Sequence, residues 1–162
     1  MAVDIFLYLT KIDGESKDST HEKEIDILSW SWGMTQSGTT HMGGGGGSGK
    51  VSVNDISFVK YIDSASHALL LRCASGEHIE EGILVVRKAG KDPLEYLKIT
   101  MTNIIVTSVQ TGGSGGEDRL TESVSLNFEQ VKYEYVEQKM DGTGEPAKPF
   151  TWNISANVPE LK

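Results

Sequence analysis

Basic charge, thiols and long apolar runs are what this chain has least of, and each shortage closes off a class of function. Against 23 Asp and Glu stand 15 Lys and Arg, a formal net charge of −8. No basic stripe gathers anywhere, so neither nucleic-acid binding nor attachment to an anionic membrane is expected, because phosphate groups demand clustered cations. The single cysteine, Cys73, excludes an internal disulfide and any zinc site built from several thiolates. It sits in an apolar helical stretch and reads as a buried, inert thiol. No apolar run approaches the roughly 20 residues that span a bilayer, so no membrane insertion is expected. The stretch Met1–Thr10 carries Asp4 and no basic leader, and reads as a first strand instead of a signal peptide.

Catalytic constellations are missing too. His21, His41, His67 and His78 share no helical i, i+4 pair and no local metal-ligand spacing, and read as surface residues. Carboxylates such as Glu80-Glu81 and Glu117-Asp118 fall in turns, where they read as solvated charges and not as acid–base pairs. Gly44-Gly-Gly-Gly-Ser-Gly49-Lys50 has the spacing of a phosphate loop, but Val51 stands where Ser or Thr would hold magnesium, and a strand comes next instead of a helix. Gly112-Gly-Ser114-Gly-Gly116 matches the nucleophile-elbow pattern of serine hydrolases, yet it too leads into a strand. No cofactor and no enzyme activity are expected. A small β-barrel hydrolase using Ser114 is the rival reading from the enzyme class.

What the chain does have is glycine and alternation. Of 162 residues, 18 are glycine, while hydrophobic residues make up 38%, so the core is thin and the turns are many. Asp26-Ile-Leu-Ser-Trp-Ser-Trp-Gly33 places Trp30 and Trp32 on one face of an extended strand and Ser29 and Ser31 on the other. The tryptophans read as core or interface anchors, and the serines as a small, uncharged surface. The run His41, Met42, Gly43, Gly44, Gly45, Gly46, Gly47, Ser48, Gly49, Lys50 has almost no side chain to pack and reads as a pliable arm.

The remainder alternates strands with polar turns. Strands are predicted at 3–10, 24–36, 51–60, 83–88, 96–102, 104–110, 122–137 and 150–154, with one helix at 64–74. The parity of the apolar positions slips at Ile27–Leu28 and again after Phe128, and a period-2 pattern that slips by one predicts a bulge or bend. A bulge or bend is therefore expected near Ile27–Leu28, and a bulge near Glu129–Gln130. On the helix, Ala65, Leu69, Leu70 and Cys73 form one apolar face, with Asp63, Ser64 or Ser66 able to cap its start and Gly76 its end. With neither a tandem repeat nor an interdomain linker, the reading is one mainly β unit, a barrel or sandwich with a single helix.

Ala2-Val-Asp-Ile-Phe6, Gly14-Glu-Ser-Lys-Asp18, Trp30-Ser-Trp32-Gly33 with Gln36-Ser-Gly38, the glycine arm, and Thr111-Gly-Gly-Ser-Gly-Gly-Glu-Asp-Arg-Leu-Thr-Glu122 together resemble the haemolysin-coregulated protein (Hcp) family of type VI secretion systems. The likeness runs over nearly the whole chain and is weakest from Gln138 to Lys148. It implies one tube domain over 1–162, a two-sheet β-barrel of the phage tail-tube kind with a flanking helix. It also implies a homohexameric ring, and rings that stack into the inner tube of a contractile machine. The partners implied are a contractile sheath, a spike protein of the VgrG type and small effector proteins held in the ring. Such a subunit starts in the cytoplasm and is secreted by the machine itself. On this reading Ser29 and Ser31 face the bore and touch effectors, while the arm from His41 to Lys50 serves ring stacking. A phage-type tail tube subunit outside secretion is the alternative among assembly proteins.

Overall fold

The slip at Ile27–Leu28 is where the chain changes partners. In the computed structural model, which describes residues 3–38 and 49–162, the N–H of Ile27 donates to the carbonyl of Ile5 at 3.0 Å. The N–H of the next residue, Leu28, donates to the carbonyl of Val59 at 2.8 Å. The expected long strand 24–36 is thus three short ones, β2 (Ile25–Asp26), β3 (Ser29–Ser31) and β4 (Met34–Thr35). β2 pairs with β1 (Val3–Leu9) and β3 pairs with β6 (Ile56–Tyr61), both antiparallel. Between them, the antiparallel order continues through β7 (Ile79–Lys88), β8 (Leu94–Gly112) and β9 (Thr121–Tyr135). Because β2 and β3 lie at the two ends of that order and are consecutive in the chain, Ile25–Ser31 is the seam that curls the sheet into a barrel. Closing the sheet removes two exposed strand edges.

Two further pairings lie off this order. β4 and β5 (Ser52–Val53) make a separate two-stranded sheet, and β10 (Lys148–Asn153) extends the far half of β9. The core lies inside the curl, where Leu7, Ile25, Phe58, Leu84, Ile99 and Leu126 are almost wholly buried. Full burial of each such side chain contributes about 1.5–3 kcal/mol.

The expected bulge near Glu129–Gln130 is not there. Register is kept through it (Thr102↔Gln130, Ile104↔Phe128). The change of parity is real, but β8 and β9 make it together. The buried side of β8 passes from Leu97, Ile99 and Met101 to Ile104 and Val106, with Asn103 between them in the left-handed region (φ 54°). Two paired strands that twist over at the same level need no inserted residue. The sequence breaks this stretch into two strands, 96–102 and 104–110, at Asn103, yet it is one strand with an unusual backbone angle. The actual bulge lies further along β8, where Val106 pairs with Leu126 and Ser108 with Ser125, leaving Thr107 over.

The helix α1 (Ser66–Ser75) packs against β8. Its start is tied by a reciprocal pair: Asp63 Oδ1 accepts from the N–H of Ala65 at 2.9 Å, and Ser66 Oγ accepts from the N–H of Asp63 at 3.0 Å. Gly76 ends it in the left-handed conformation at φ 70°, donating to the Arg72 carbonyl at 3.0 Å. Its buried side is narrower than the apolar pattern predicts. Ala65 and Leu69 are inside, Cys73 is half-buried instead of buried, and Leu70 is 45% exposed.

Candidate functional site

Ser29 and Ser31 do point away from the core. Both are exposed, while Trp30 between them packs against the buried cluster. Trp32, just past the end of β3, donates its indole N–H to the Asn54 carbonyl at 3.0 Å and lies 6.2 Å from the Phe128 ring. The two tryptophans are anchors, as their alternation with serine predicts.

Pairing across the sheet then gathers residues far apart in sequence. Ser31 lies opposite Ser57, Ser57 opposite Ser125, and Ser125 opposite Ser108. One register step away, Ser29 lies opposite Val59, Val59 opposite Ser123, and Ser123 opposite Gln110. Two rows across β3, β6, β9 and β8 make a single concave surface. At a strand spacing of about 4.8 Å, each row is about 14 Å long. The surface carries no formal charge. Ser57 Oγ and Ser125 Oγ stand 3.1 Å apart, so neighbouring strands are linked by hydroxyls as well as by backbone.

The Thr107 bulge places Ser108 and Gln110 on this surface. Before the bulge, the even residues Ile104 and Val106 face the core; after it, Val109 does. Thr107 Oγ donates to Asp55 Oδ2 at 2.7 Å, and Asn127 Nδ2 donates to Asp55 Oδ1 at 2.9 Å. The alternation around Ser29 and Ser31 is legible in the sequence; the other members of the rows are not, because they depend on register.

Of the expected arm, Gly49 and Lys50 are described, and Lys50 is exposed. His41, Met42, Gly43, Gly44, Gly45, Gly46, Gly47 and Ser48 lie outside the described residues. Lys50 leads into the strand β5, not into a helix, so a phosphate loop has no helix terminus to work with. Ser114 sits in the exposed turn between β8 and β9, where the N–H of Glu117 donates to its carbonyl at 3.2 Å, and the turn runs on into a strand. Among the described residues no three of His, Cys, Asp or Glu gather to hold a metal ion, and no helix is long and apolar enough to cross a membrane.

Two buried polar clusters escape the sequence reading. Lys60 and Glu122 are in direct contact with almost no exposure, joined by Asp63 at 2.8 Å and by the Ser66 hydroxyl. His21, expected at the surface, is buried. Its ring lies between Glu24 (Nδ1, 2.9 Å) and Glu95 (Nε2, 2.6 Å) and stacks on Phe6 with centroids 4.4 Å apart. Burial pulls the His21 pKa down, but hydrogen bonds to Glu24 and Glu95 outweigh it and the net shift is upward. Beside it, Arg87 donates to both Asp18 oxygens (2.7 and 3.0 Å) and to Asp4 (3.0 Å), which holds the Asp18 carboxyl well below the usual range. A Glu three residues after His21 was the only local signal.

Comparison with known proteins identifies the chain. The family model described as type VI secretion system effector, Hcp, matches residues 6–135. Protein hcp1 of Pseudomonas aeruginosa strain PAO1 is 56% identical over 161 residues, covering 98% of this chain and 99% of that protein. The crystal structure of Hcp1 from Salmonella typhimurium is similar at 42% identity and a TM-score of 0.78, covering 98% of this chain and 99% of that one. The structure of a type six secretion system protein is similar at 29% identity and a TM-score of 0.91, covering 97% and 99%. With its curled β architecture and near full-length relatives, the chain belongs to the Hcp family of type VI secretion proteins.

Proposed function

We propose that this protein is a non-enzymatic subunit of the inner tube of a type VI secretion machine, one tube domain over 1–162. Six copies close into a ring, rings stack into a tube within a contractile sheath and behind a spike protein, and the tube leaves the cell with the effectors it carries. Family membership supports the secretion role. The observation that carries the rest is the uncharged surface of Ser29, Ser31, Ser57, Ser108, Ser123, Ser125 and Gln110 on the outer side of the barrel wall. A wall that only packs against a neighbour has no use for a broad tract of small hydroxyls, which are depleted at interface centres. A water-filled bore that holds small proteins and then releases them suits it well. Short hydroxyls offer hydrogen bonds without the desolvation cost of charges, so contacts there are adaptable and reversible. The glycine arm is assigned to ring stacking, where the entropy lost on ordering keeps contacts weak.

Light scattering on the purified protein, with negative-stain images of the same peak, tests the assembly. A species near six times the 17.6 kDa chain, seen as open rings, is expected. A clean monomer at high concentration overturns the tube reading.

A further inference from the structure

Within the connection between β1 and β2, residues 10–24, the segment 13–24 lies across the outside of the sheet and is fastened at two points of different chemistry. The first is the fork of Arg87 on Asp18, reinforced by Asp4 and by Thr20 Oγ at 3.2 Å. The second is His21 between Glu24 and Glu95. Ionised carboxylates only accept hydrogen bonds, and a neutral imidazole has a single N–H to donate. Both ring nitrogens of His21 face a carboxylate oxygen within 2.9 Å, so the arrangement is complete only with the imidazolium.

We propose that residues 13–24 form a strap whose His21 fastener opens as pH rises while its Arg87 fastener stays shut. The strap leads directly into Ile25–Ser31, the seam that joins the two ends of the sheet. The fastener that opens is therefore the one beside the seam, and its opening uncovers the Phe6 ring beneath His21.

The groups around His21 favour the charged ring. The strap supplies Asp18 and Glu24; β1 supplies Asp4 and Tyr8; β7 supplies Glu81 and Arg87; the turn between β7 and β8 supplies Lys91; β8 supplies Glu95 and Lys98. Acids outnumber bases among them. Because the folded state raises the His21 pKa, the fastener's contribution is full below the ordinary histidine value and is lost as pH climbs through the raised one. Asp18 is ionised across that whole window, and the Arg87 guanidinium remains charged, its pKa raised by its hydrogen bonds to Asp18.

Hydrogen exchange by mass spectrometry on the assembled protein tests this, run from about pH 5.5 to about pH 9 and corrected for intrinsic exchange rates. Exchange at the imidazole C2 position, read in the same samples, gives the titration of His21. The expected result is titration above the ordinary value, near 6.5, with backbone exchange at 19–24 rising about threefold or more over the same range. His21→Phe keeps a ring on Phe6 but cannot titrate, and its exchange is expected to be flat with pH. Glu95→Gln alters a half-exposed side chain, which spares the fold, and is expected to move the transition to lower pH. A wild-type strap whose exchange does not change with pH, a His21 that titrates below the ordinary value, or an unmoved transition in Glu95→Gln overturns the proposal.

Discussion

The ammonium of Lys60 touches the carboxylate of Glu122, with side chains 0% and 1% exposed, at the point where β6, β9 and the start of α1 meet. Two charges taken out of water together are tolerated only while each satisfies the other, and removing one leaves the partner stranded. Lys60→Met is expected to cost about 3–5 kcal/mol, read by urea denaturation at fixed protein concentration. Lys60→Met with Glu122→Leu is expected to recover part of that, because Glu122 is no longer stranded, while Asp63 loses its cation but keeps the Ala65 N–H as a donor. Additive losses in the double variant would show that the two residues act independently.

Effector retention is predicted to depend on the serine surface. Ser31→Gln puts a longer side chain at the exposed end of a row and touches nothing in the core. Rings are expected to form as before, and co-purification of a bound effector with tagged rings is expected to fall. Undiminished effector capture by intact Ser31→Gln rings would remove the cargo role from this surface.

Removing Gly43 to Gly47 is expected to spare the barrel and weaken the stacking of rings, since glycine there supplies chain length without side chains to pack. Tube lengths in negative stain, compared at equal ring concentration, decide the matter. Equal tube formation by the shortened chain sinks the assignment.

Gly14 holds its place by lacking a side chain. A Cβ there would meet the Glu24 carbonyl oxygen at 2.6 Å and Ile25 Cα at 2.7 Å, both backbone atoms with no rotamer to yield. Gly14→Ala is expected to destabilise by about 1–3 kcal/mol and to speed hydrogen exchange across 14–25. A melting curve and exchange pattern like those of the parent would count against that close approach.

Acid is predicted to release the Arg87 fastener. Arg87 holds the Asp18 carboxyl far below the usual range, so this pair contributes stability above the ordinary aspartate value, about 3.9, and loses it as pH falls through the depressed one. Asp18→Asn is expected to lower stability at neutral pH and to flatten its dependence on pH in the acid range. An acid limb identical to that of the parent would assign the loss to other carboxylates.

How far the sequence reaches can be judged at particular residues. Alternation alone marks most of the strands, because side chains of an extended chain point to opposite sides whatever its partners are. It also exposes Ser29 and Ser31 and marks a break at Ile27–Leu28, while helical spacing buries Ala65 and Leu69. That the break is the barrel's seam is not legible, since nothing local says that Ile27 bonds to β1 and Leu28 to β6. Register has the same limit. Ser31, Ser57, Ser125 and Ser108 are ordinary serines until pairing lays them in a row, and only the extra residue at Thr107 turns Ser108 outward. His21 and Glu95 are 74 residues apart and Lys60 and Glu122 are 62, so neither pair leaves a trace in spacing. Local periodicity determined which residues could face inward and, with the family motifs, what kind of protein this is. The tertiary structure alone decided which polar groups meet, because burial and pairing are properties of the closed sheet and not of any segment.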